Sequence, residues 1–505
     1  MPKSHTFLRF TEWAREHGSI FSLKISDETI VVLSSPQAVY DVMEQNGAVL
    51  ADRPVKHMAM LLTNGMMIGM APYGPSWRGQ RRAAHDVLKP ASCAKHLPMQ
   101  IAESNQLMYD ILCNPEDTYF HIQRAALSVM SSLMFGARTP TIRSPILESI
   151  FAIASRLHKL MEAGATPPFE LIPLLKYIPQ RFAPWKAQAK EVREMQRGLL
   201  FDLLDKCEAR AAAGNGNGCY MEGILAKAEA YGLSREAIAY TGGSMLNAGS
   251  ATTTSYLHFL VLLLVEHPEV QEKAHAELDR VIGPGRLPTL EDMANLPYIC
   301  AIIQEIHRYR PVAPLAVPHK SLDDVYYGKY RIPQGSSVYA NVWAIYRDPT
   351  LFDRPEEFYP ERYLSSPLGL KKGVVDDIER TDAFKRFNLL AYGTGRRACP
   401  GIHLANNTIE LNVARLLWGF KFTNTWKVDE AGRATKEKAD SWHFPSGATH
   451  DPSEFKCETH VRSSQHAQVI KDSFVQSTAA FVPFEQGLTK EEKDAVYNAR
   501  WQAFL

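Results

Sequence analysis

One cysteine of this chain stands where a sulfur atom could do chemistry. The run around it reads Ala391-Tyr392-Gly393-Thr394-Gly395-Arg396-Arg397-Ala398-Cys399-Pro400-Gly401. The glycines allow a tight loop, an arginine sits two residues before the cysteine, and a proline follows at the start of a helical pattern. A thiolate there faces helix N–H groups and positive charge, and both lower a cysteine pKa. Such a sulfur suits a metal, although a buried structural cysteine is the plainer reading of Cys399 taken alone. Haem iron is one of the few metals that a lone cysteine can hold, because the porphyrin supplies the in-plane ligands.

Three other features bear on the choice. Glu305-Ile306-His307-Arg308 puts an acid and a base three residues apart on one helix face. Pro360-Glu361-Arg362-Tyr363 follows a polar loop. Ala248-Gly249-Ser250-Ala251-Thr252-Thr253 lies near the middle of a long helical pattern, and glycine followed by β-branched threonines is poor helix chemistry. Weakness at that point predicts a local functional distortion. The cysteine loop has a rival reading: Gly393-Thr394-Gly395-Arg396-Arg397-Ala398 fits the outline of a dinucleotide-binding turn, with a helix, a strand-like Phe420-Lys421-Phe422 and Asp429 behind it. Against that, the acid falls late, two arginines and a proline are odd in the turn, and no alternation of strands and helices surrounds it.

The elements that must position these residues are mostly helical. Thr6 to Glu16 has helical spacing, and Phe21 to Val32 alternates around Asp27-Glu28 as a hairpin. Pro36 opens a short helix to Gln45. Val55 to Trp77 reads as a loop rich in methionine. Helical patterns follow at roughly 76–89, 98–112, 119–135, 145–163 and 186–212. Ala165 to Trp185, with five prolines among apolar residues, interrupts them. Gly214-Asn215-Gly216-Asn217-Gly218 is a flexible link. Ser234 is a good N-cap for a helix running to Glu266, roughly 48 Å at ~1.5 Å per residue, enough to cross a domain. A helix at 296–310, short strands over 315–340 and a helix from Pro400 to near Gly419 complete the core. The expected class is mainly α with a minor β portion. Residues 1–458 are read as one catalytic domain. Residues 459–505 are read as a helical C-terminal extension, with Thr489-Lys490-Glu491-Glu492 as a capping box for its last helix.

Composition narrows the function. A formal net charge of +1 over 505 residues gives no case for nucleic-acid binding. Seven dispersed cysteines without a Cys-x-x-Cys pair argue for a reduced compartment, against a disulfide framework and against structural zinc. No unbroken apolar run approaches the ~18 residues of a transmembrane helix, and the N-terminus lacks a signal-peptide pattern.

At this point the sequence resembles the cytochrome P450 family of haem-thiolate monooxygenases, from about Thr6 to about Cys457. The family's Phe-x-x-Gly-x-Arg-x-Cys-x-Gly is matched by Tyr392, Gly395, Arg397, Cys399 and Gly401, with tyrosine in place of phenylalanine. Its Glu-x-x-Arg is Glu305 and Arg308, and its partner arginine is Arg362; the three are expected to form a supporting charge cluster. Trp77 and Arg81 match its Trp-x-x-x-Arg. Together with Arg397 and His319, they are expected to meet the haem propionates. The resemblance implies the P450 fold, a long central helix over haem b (iron protoporphyrin IX), and Cys399 as axial ligand of the iron. It also implies insertion of one oxygen atom from O2 into a small, mostly apolar metabolite, in the style of fungal microsomal secondary metabolism. Electrons are expected from an NADPH-cytochrome P450 reductase docking near Arg396, Lys385 and Arg386.

Two departures qualify that picture. The family's acid before the distal threonine is Ala251 here, and alanine relays no proton; Thr252 and Thr253 remain as candidate catalytic hydroxyls. Rearrangement, dehydration, oxidative coupling or mere ligand binding is therefore the alternative to hydroxylation. The resemblance places Met66 and Met67 over the haem, Leu246 and Asn247 on the distal helix, and Leu315 to Val317 and His443 to Ala448 on two further substrate walls. The second departure is the N-terminus, which lacks the family's membrane anchor, so the chain is either truncated or peripheral. By resemblance it belongs on the cytoplasmic face of the endoplasmic reticulum membrane, with 165–185 as a segment able to touch the bilayer.

Overall fold

The computed structural model describes residues 5–161, 166–169, 172–374, 382–428, 434–436, 440–445, 447 and 449–504. Ala165, Leu171 and Asp429, and positions 446 and 448 of the third expected substrate wall, lie outside the described residues.

Helices α1 (Thr6–His17), α2 (Pro36–Val39), α3 (His57–Thr63), α4 (Pro75–Leu88), α5 (Pro90–Lys95) and α6 (Leu97–Cys113) come first. Then follow α7 (Thr118–Phe135), α8 (Pro145–Met161), α9 (Pro184–Ala212), α10 (Tyr220–Leu225) and α11 (Ala228–Tyr231). The centre of the chain is α12 (Arg235–Glu266), then α13 (Pro268–Val281) and α14 (Pro297–Tyr309). After the short α15 (Val342–Ile345) and α16 (Arg362–Ser365) come α17 (Ile402–Gly419), α18 (Ser464–Gln476), α19 (Thr478–Phe481) and α20 (Lys490–Phe504).

The β portion is small. β1 (Ile20–Ile25) and β2 (Glu28–Leu33) form the expected hairpin, with Ile25 opposite Glu28. β3 (His319–Lys320), the β4–β5 pair (Val325–Tyr327, Tyr330–Ile332) and β6 (Ser337–Ala340) follow. β6 lies parallel to β2 and antiparallel to β3, giving the order β1-β2-β6-β3. β7 (Phe420–Thr423) and β8 (Trp426–Val428) come next; β8 pairs with β9 (Ala434–Lys436), and β7 pairs with β10 (Glu458–Val461).

The axis of the core is α12. Ser234 caps it, its hydroxyl accepting from the Ala237 N–H at 3.2 Å. By length and composition α12 could cross a bilayer, but 78% of its apolar window is buried inside the fold, so it is a core helix. The expected weakness at Gly249 does not break it. Its glycines serve close approach instead. A Cβ on Gly249 would lie 2.5 Å from Met130 Sδ of α7, one on Gly242 2.6 Å from Phe135, and one on Gly243 2.4 Å from Leu200 of α9.

Two further differences from the sequence reading have local causes. The methionine-rich stretch holds α3, because Met58 and Leu62, four residues apart, are both buried against α9. The helix from Pro36 turns into a wider π-type turn over Tyr40–Glu44. The segment after 459 packs onto the same core. Asn105 of α6 donates to Ser473 O and to the Ser477 hydroxyl, and the Tyr109 hydroxyl donates to Ala499 O. Thr489 and Glu492 form the expected box at the start of α20.

Candidate active site around Cys399

Cys399 is presented by a loop pinned from several sides. Its N–H donates to Tyr392 O at 2.8 Å, and the Gly401 N–H donates to its sulfur at 3.3 Å. Gly395 has φ +61°, and a Cβ there would come within 2.9 Å of Met43 O, so the turn admits only glycine comfortably. The Tyr392 hydroxyl donates to Asn406 Oδ1 at 2.7 Å and lies 3.4 Å from His307 Nε2, which gives the tyrosine a polar anchor that phenylalanine would lack. The Cys399 side chain is reached by solvent although protein encloses the loop. Its pKa departs from the sequence expectation: burial pushes the thiol up, and the Gly401 N–H and the Arg81 charge only partly offset this.

Beside the loop lies a group of cations. Arg397 stacks on Trp77, its guanidinium carbon 3.8 Å from the ring centroid. It donates to Ala51 O at 2.6 Å, Ala71 O at 2.9 Å and Ile68 O at 3.3 Å. Arg53 donates to Gly69 O, Val317 O and Pro318 O. Arg81 reaches Ala398 O at 2.6 Å. His319 Nδ1 meets Leu50 O at 2.6 Å. Among the described residues no carboxylate lies within ion-pair distance of these three arginines; Asp52, which accepts the Tyr73 N–H at 2.6 Å, favours the charges of Arg53 and Arg397 from farther off. Burial and the Arg397 charge bring Arg53 down to about 9, and burial and Arg81 bring Arg397 down to about 10. Burial, with the charges of Arg53 and Arg397, brings His319 down to about 3.

The central helix opens at one place. Asn247, Ala248, Ala251 and Thr252 are exposed, while most of the helix on either side is buried. Their spacing puts them on one face, so this is a window. The structure therefore separates the candidate hydroxyls. Thr252 lies on the window and donates to Ala248 O at 2.8 Å; Thr253 is buried. Leu246 is buried while Asn247 is open. Met66, Met67, Leu315 and Val317 are half-buried. Between the last two, Ala316 has φ +52°, an uncommon strain for alanine, at the wall expected to face substrate. The Ile68 N–H donates to the Ser244 hydroxyl at 3.3 Å, which ties the methionine-rich segment to α12.

Below this layer Glu305 binds two arginines. Arg308 meets it through Nε at 2.8 Å and Nη2 at 2.7 Å, and Arg362 through Nε at 3.0 Å. The Tyr359 N–H adds a further bond at 2.8 Å. The remaining guanidinium donors reach the carbonyls of Tyr346, Pro355, Glu357, Asp353 and Arg354.

The cytochrome P450 family profile matches residues 2–437. The chain belongs to the cytochrome P450 family. It is 37% identical over 486 residues to a cytochrome P450 monooxygenase of Armillaria gallica, covering 96% of this chain and 91% of that one. To the monooxygenase atE of Aspergillus terreus it is 34% identical over 490 residues (96% and 89% covered), and to patI of Penicillium expansum 33% over 487 residues (96% and 90%). Among solved structures it superposes on a zebrafish cytochrome P450 with progesterone at TM-score 0.74 and 25% identity, covering 91% of this chain and 100% of that one. The chain is thus a P450 monooxygenase, an oxidoreductase, on the mainly α P450 fold, and the dinucleotide reading of the glycine loop falls away.

Arg53 escaped the sequence reading. An arginine before a proline carries no signal by itself, and only the fold brings it to Arg397 and His319. The expected reductase-facing cations also divide: Lys385 pairs with Asp382 and Arg386 lies 3.5 Å from Glu44, while Arg396 stays exposed. Arg396 lines a surface cleft of about 540 Å³ with Arg78, Arg81, Arg82 and Trp77.

Proposed function

We propose that this P450 holds haem b through Cys399 and oxidises a small, mostly apolar metabolite with dioxygen. One observation carries the reading: a solvent-reached cysteine sulfur beside three arginines that, among the described residues, form no ion pair with a carboxylate. That donor set fits a metal ligated from one side and a ligand bearing acidic groups. Cys399 would hold the iron, and Arg53, Arg81, Arg397, His319 and Trp77 would receive the propionates. Bound there, haem supplies oxygen activation, which no side chain here can supply.

The chain's own part is to orient substrate and handle protons. Thr252 gives its hydroxyl hydrogen to Ala248 O, which leaves its oxygen lone pairs to accept from water or substrate on the window. Asn247 is the polar group on the same face able to orient a ligand. A reduced carbonyl adduct with the long-wavelength Soret band of thiolate ligation is expected, and Cys399→Ala should abolish that band. An unchanged spectrum in the variant would end this assignment.

Ala251 favours a second reading. No acid stands on the window next to Thr252, so rearrangement, dehydration or coupling, which need different proton traffic, compete with hydroxylation. Product carrying oxygen from labelled O2 supports hydroxylation, whereas product without the label supports the second reading.

An NADPH-dependent reductase is the expected electron source, with Arg78, Arg82 and Arg396 at the cationic cleft as its contact; charge reversal at Arg82 and Arg396 that left electron transfer unchanged would remove that contact. The fungal relatives suggest a secondary-metabolite role. We also place the chain on the cytoplasmic face of the endoplasmic reticulum. Phe169 and Trp185 are buried against α3 and α9, while Leu174, Tyr177 and Phe182 are 78%, 80% and 64% exposed, a shape suited to touching a bilayer. Liposome flotation lost on Leu174→Ser with Phe182→Ser is the expected result; flotation unaffected by both changes would remove the role.

A further inference from the structure

Two cysteines that no part of the oxygen chemistry uses lie against each other. Cys207, on the last turns of α9, and Cys219, immediately before α10, are both buried, with their sulfurs 3.6 Å apart. The chain between them is the glycine-rich link, whose residues 211–216 are exposed. Gly214 and Gly218, at φ +73° and +76°, turn the link back on itself. Glu222 holds it there, accepting from the N–H groups of Asn217 at 3.2 Å and Gly218 at 2.9 Å. The pair is therefore fixed one layer beneath an exposed loop.

Arg210 decides what the pair is for. Its Nη2 lies 3.3 Å from Cys219 Sγ and 3.2 Å from Glu222 Oε1, so a guanidinium already stands among the three groups that could have held a metal ion. A zinc ion needs four donors and gains nothing from a fixed cation beside them. A thiolate, by contrast, is favoured by that cation. The hydrogen bond with Cys219 and the Arg210 charge hold Cys207 below the usual thiol range, while the same contact and burial push Cys219 up. The guanidinium contacts Cys219 Sγ, so the pair has a cation at hand that favours one thiolate while the other sulfur keeps its proton.

We propose that Cys207 and Cys219 form a redox-closable staple between α9 and α10, with hydrogen peroxide as oxidant. One thiolate of the pair attacks one peroxide oxygen, the O–O bond breaks, and hydroxide leaves, giving a sulfenic acid on that cysteine. The other sulfur then attacks the oxidised one, and the hydroxyl leaves as water with the proton of the attacking thiol. In sum two thiols and one peroxide give one disulfide and two waters; each sulfur loses one electron and the O–O bond takes both. Closing from 3.6 Å to a bond of about 2.05 Å moves each sulfur by less than about 1 Å, within reach of side-chain rotation. The bond ties the end of α9 to α10, and α9 is the helix whose Leu200 packs on Gly243, one turn before the window of α12.

The test is a peroxide titration of the full-length haem-loaded chain, followed by alkylation under denaturing conditions and peptide mapping. A cross-linked peptide joining Cys207 to Cys219, the loss of two alkylatable thiols and a rise of several degrees in the thermal midpoint are expected. Removing the resolving sulfur, by Cys219→Ser in one variant and Cys207→Ser in another, should leave in one of the two a dimedone-trappable sulfenic acid on the remaining cysteine that the parent chain does not accumulate. Full alkylation of both cysteines after the challenge would overturn the proposal. So would one equivalent of zinc that protects both from alkylation, since the site would then be a metal site.

Discussion

Two groups of buried arginines in this chain meet opposite circumstances. Arg308 and Arg362 share the Glu305 carboxylate at 2.7 to 3.0 Å, and their remaining donors reach backbone carbonyls. Burial opposes the charge of Arg308, yet Glu305 holds its pKa above the ordinary value, whereas at Arg362 burial outweighs the same carboxylate and the pKa is lowered. Arg53 and Arg397 are buried to a similar degree and equally well hydrogen-bonded to carbonyls, but among the described residues neither forms an ion pair with a carboxylate; Asp52 favours their charges only from farther off, and both are depressed. The first group has its counter-charge in direct contact. The second has only the more distant Asp52. Burying like charges with so little counter-charge is costly, and this difference supports the proposal that the second group receives an acidic ligand.

The comparison breaks most severely at Glu305. Glu305→Gln leaves two buried guanidinium groups without their counter-charge, and about 3–5 kcal/mol of stability should be lost. Against a typical total of about 5–15 kcal/mol, little folded chain is expected in a thermal-melt or solubility assay. A variant that melted like the parent would show that the triad is not the closed unit described.

An intermediate effect is expected from pH. His319 sits in the unbalanced group at about 3, against ~6.5 for an unfolded histidine. Between those values the unfolded chain binds the extra proton, so stability falls as pH is lowered, by at most ~1.4 kcal/mol per unit from this group. Urea melts of the parent and of His319→Asn between pH 6 and pH 5 should differ in slope by up to one proton. Equal slopes would mean that His319 is not held neutral by burial and its arginine neighbours.

The smallest effect sharpens the contrast directly. Sulfate at about ten times its Kd should stabilise the haem-free chain by ~1.4 kcal/mol through the arginines of the second group. Arg397→Gln should remove that increment, leaving only the general salt effect. An equal sulfate increment in both proteins would show that the ion binds elsewhere.

How far the sequence was readable follows from how local each signal is. The Ser234 cap, the Thr489–Glu492 box, the β1–β2 hairpin and the long helical patterns depend on neighbours a few residues away, and the structure has them close to where the spacing predicts. Gly249 misled, because its purpose is set by Met130, more than a hundred residues distant in sequence. Thr252 and Thr253 could not be ranked from sequence, since only packing decides which of two adjacent helix positions faces the window. The sign of the Cys399 shift was missed for a related reason. Helix N–H groups and flanking charge can be read from neighbours, but desolvation depends on the whole enclosing shell.

The sequence alone determined the chemistry available: one cysteine in a glycine loop, an acid and an arginine three residues apart, and a central helix with alanine where an acid was expected. Tertiary structure alone decided the company those groups keep: Arg53 beside Arg397, Cys207 against Cys219, and Thr252 but not Thr253 at the opening. Residue identity fixes what a side chain can donate, accept or lose. Charge balance, desolvation and exposure are sums over neighbours that only the folded chain assembles.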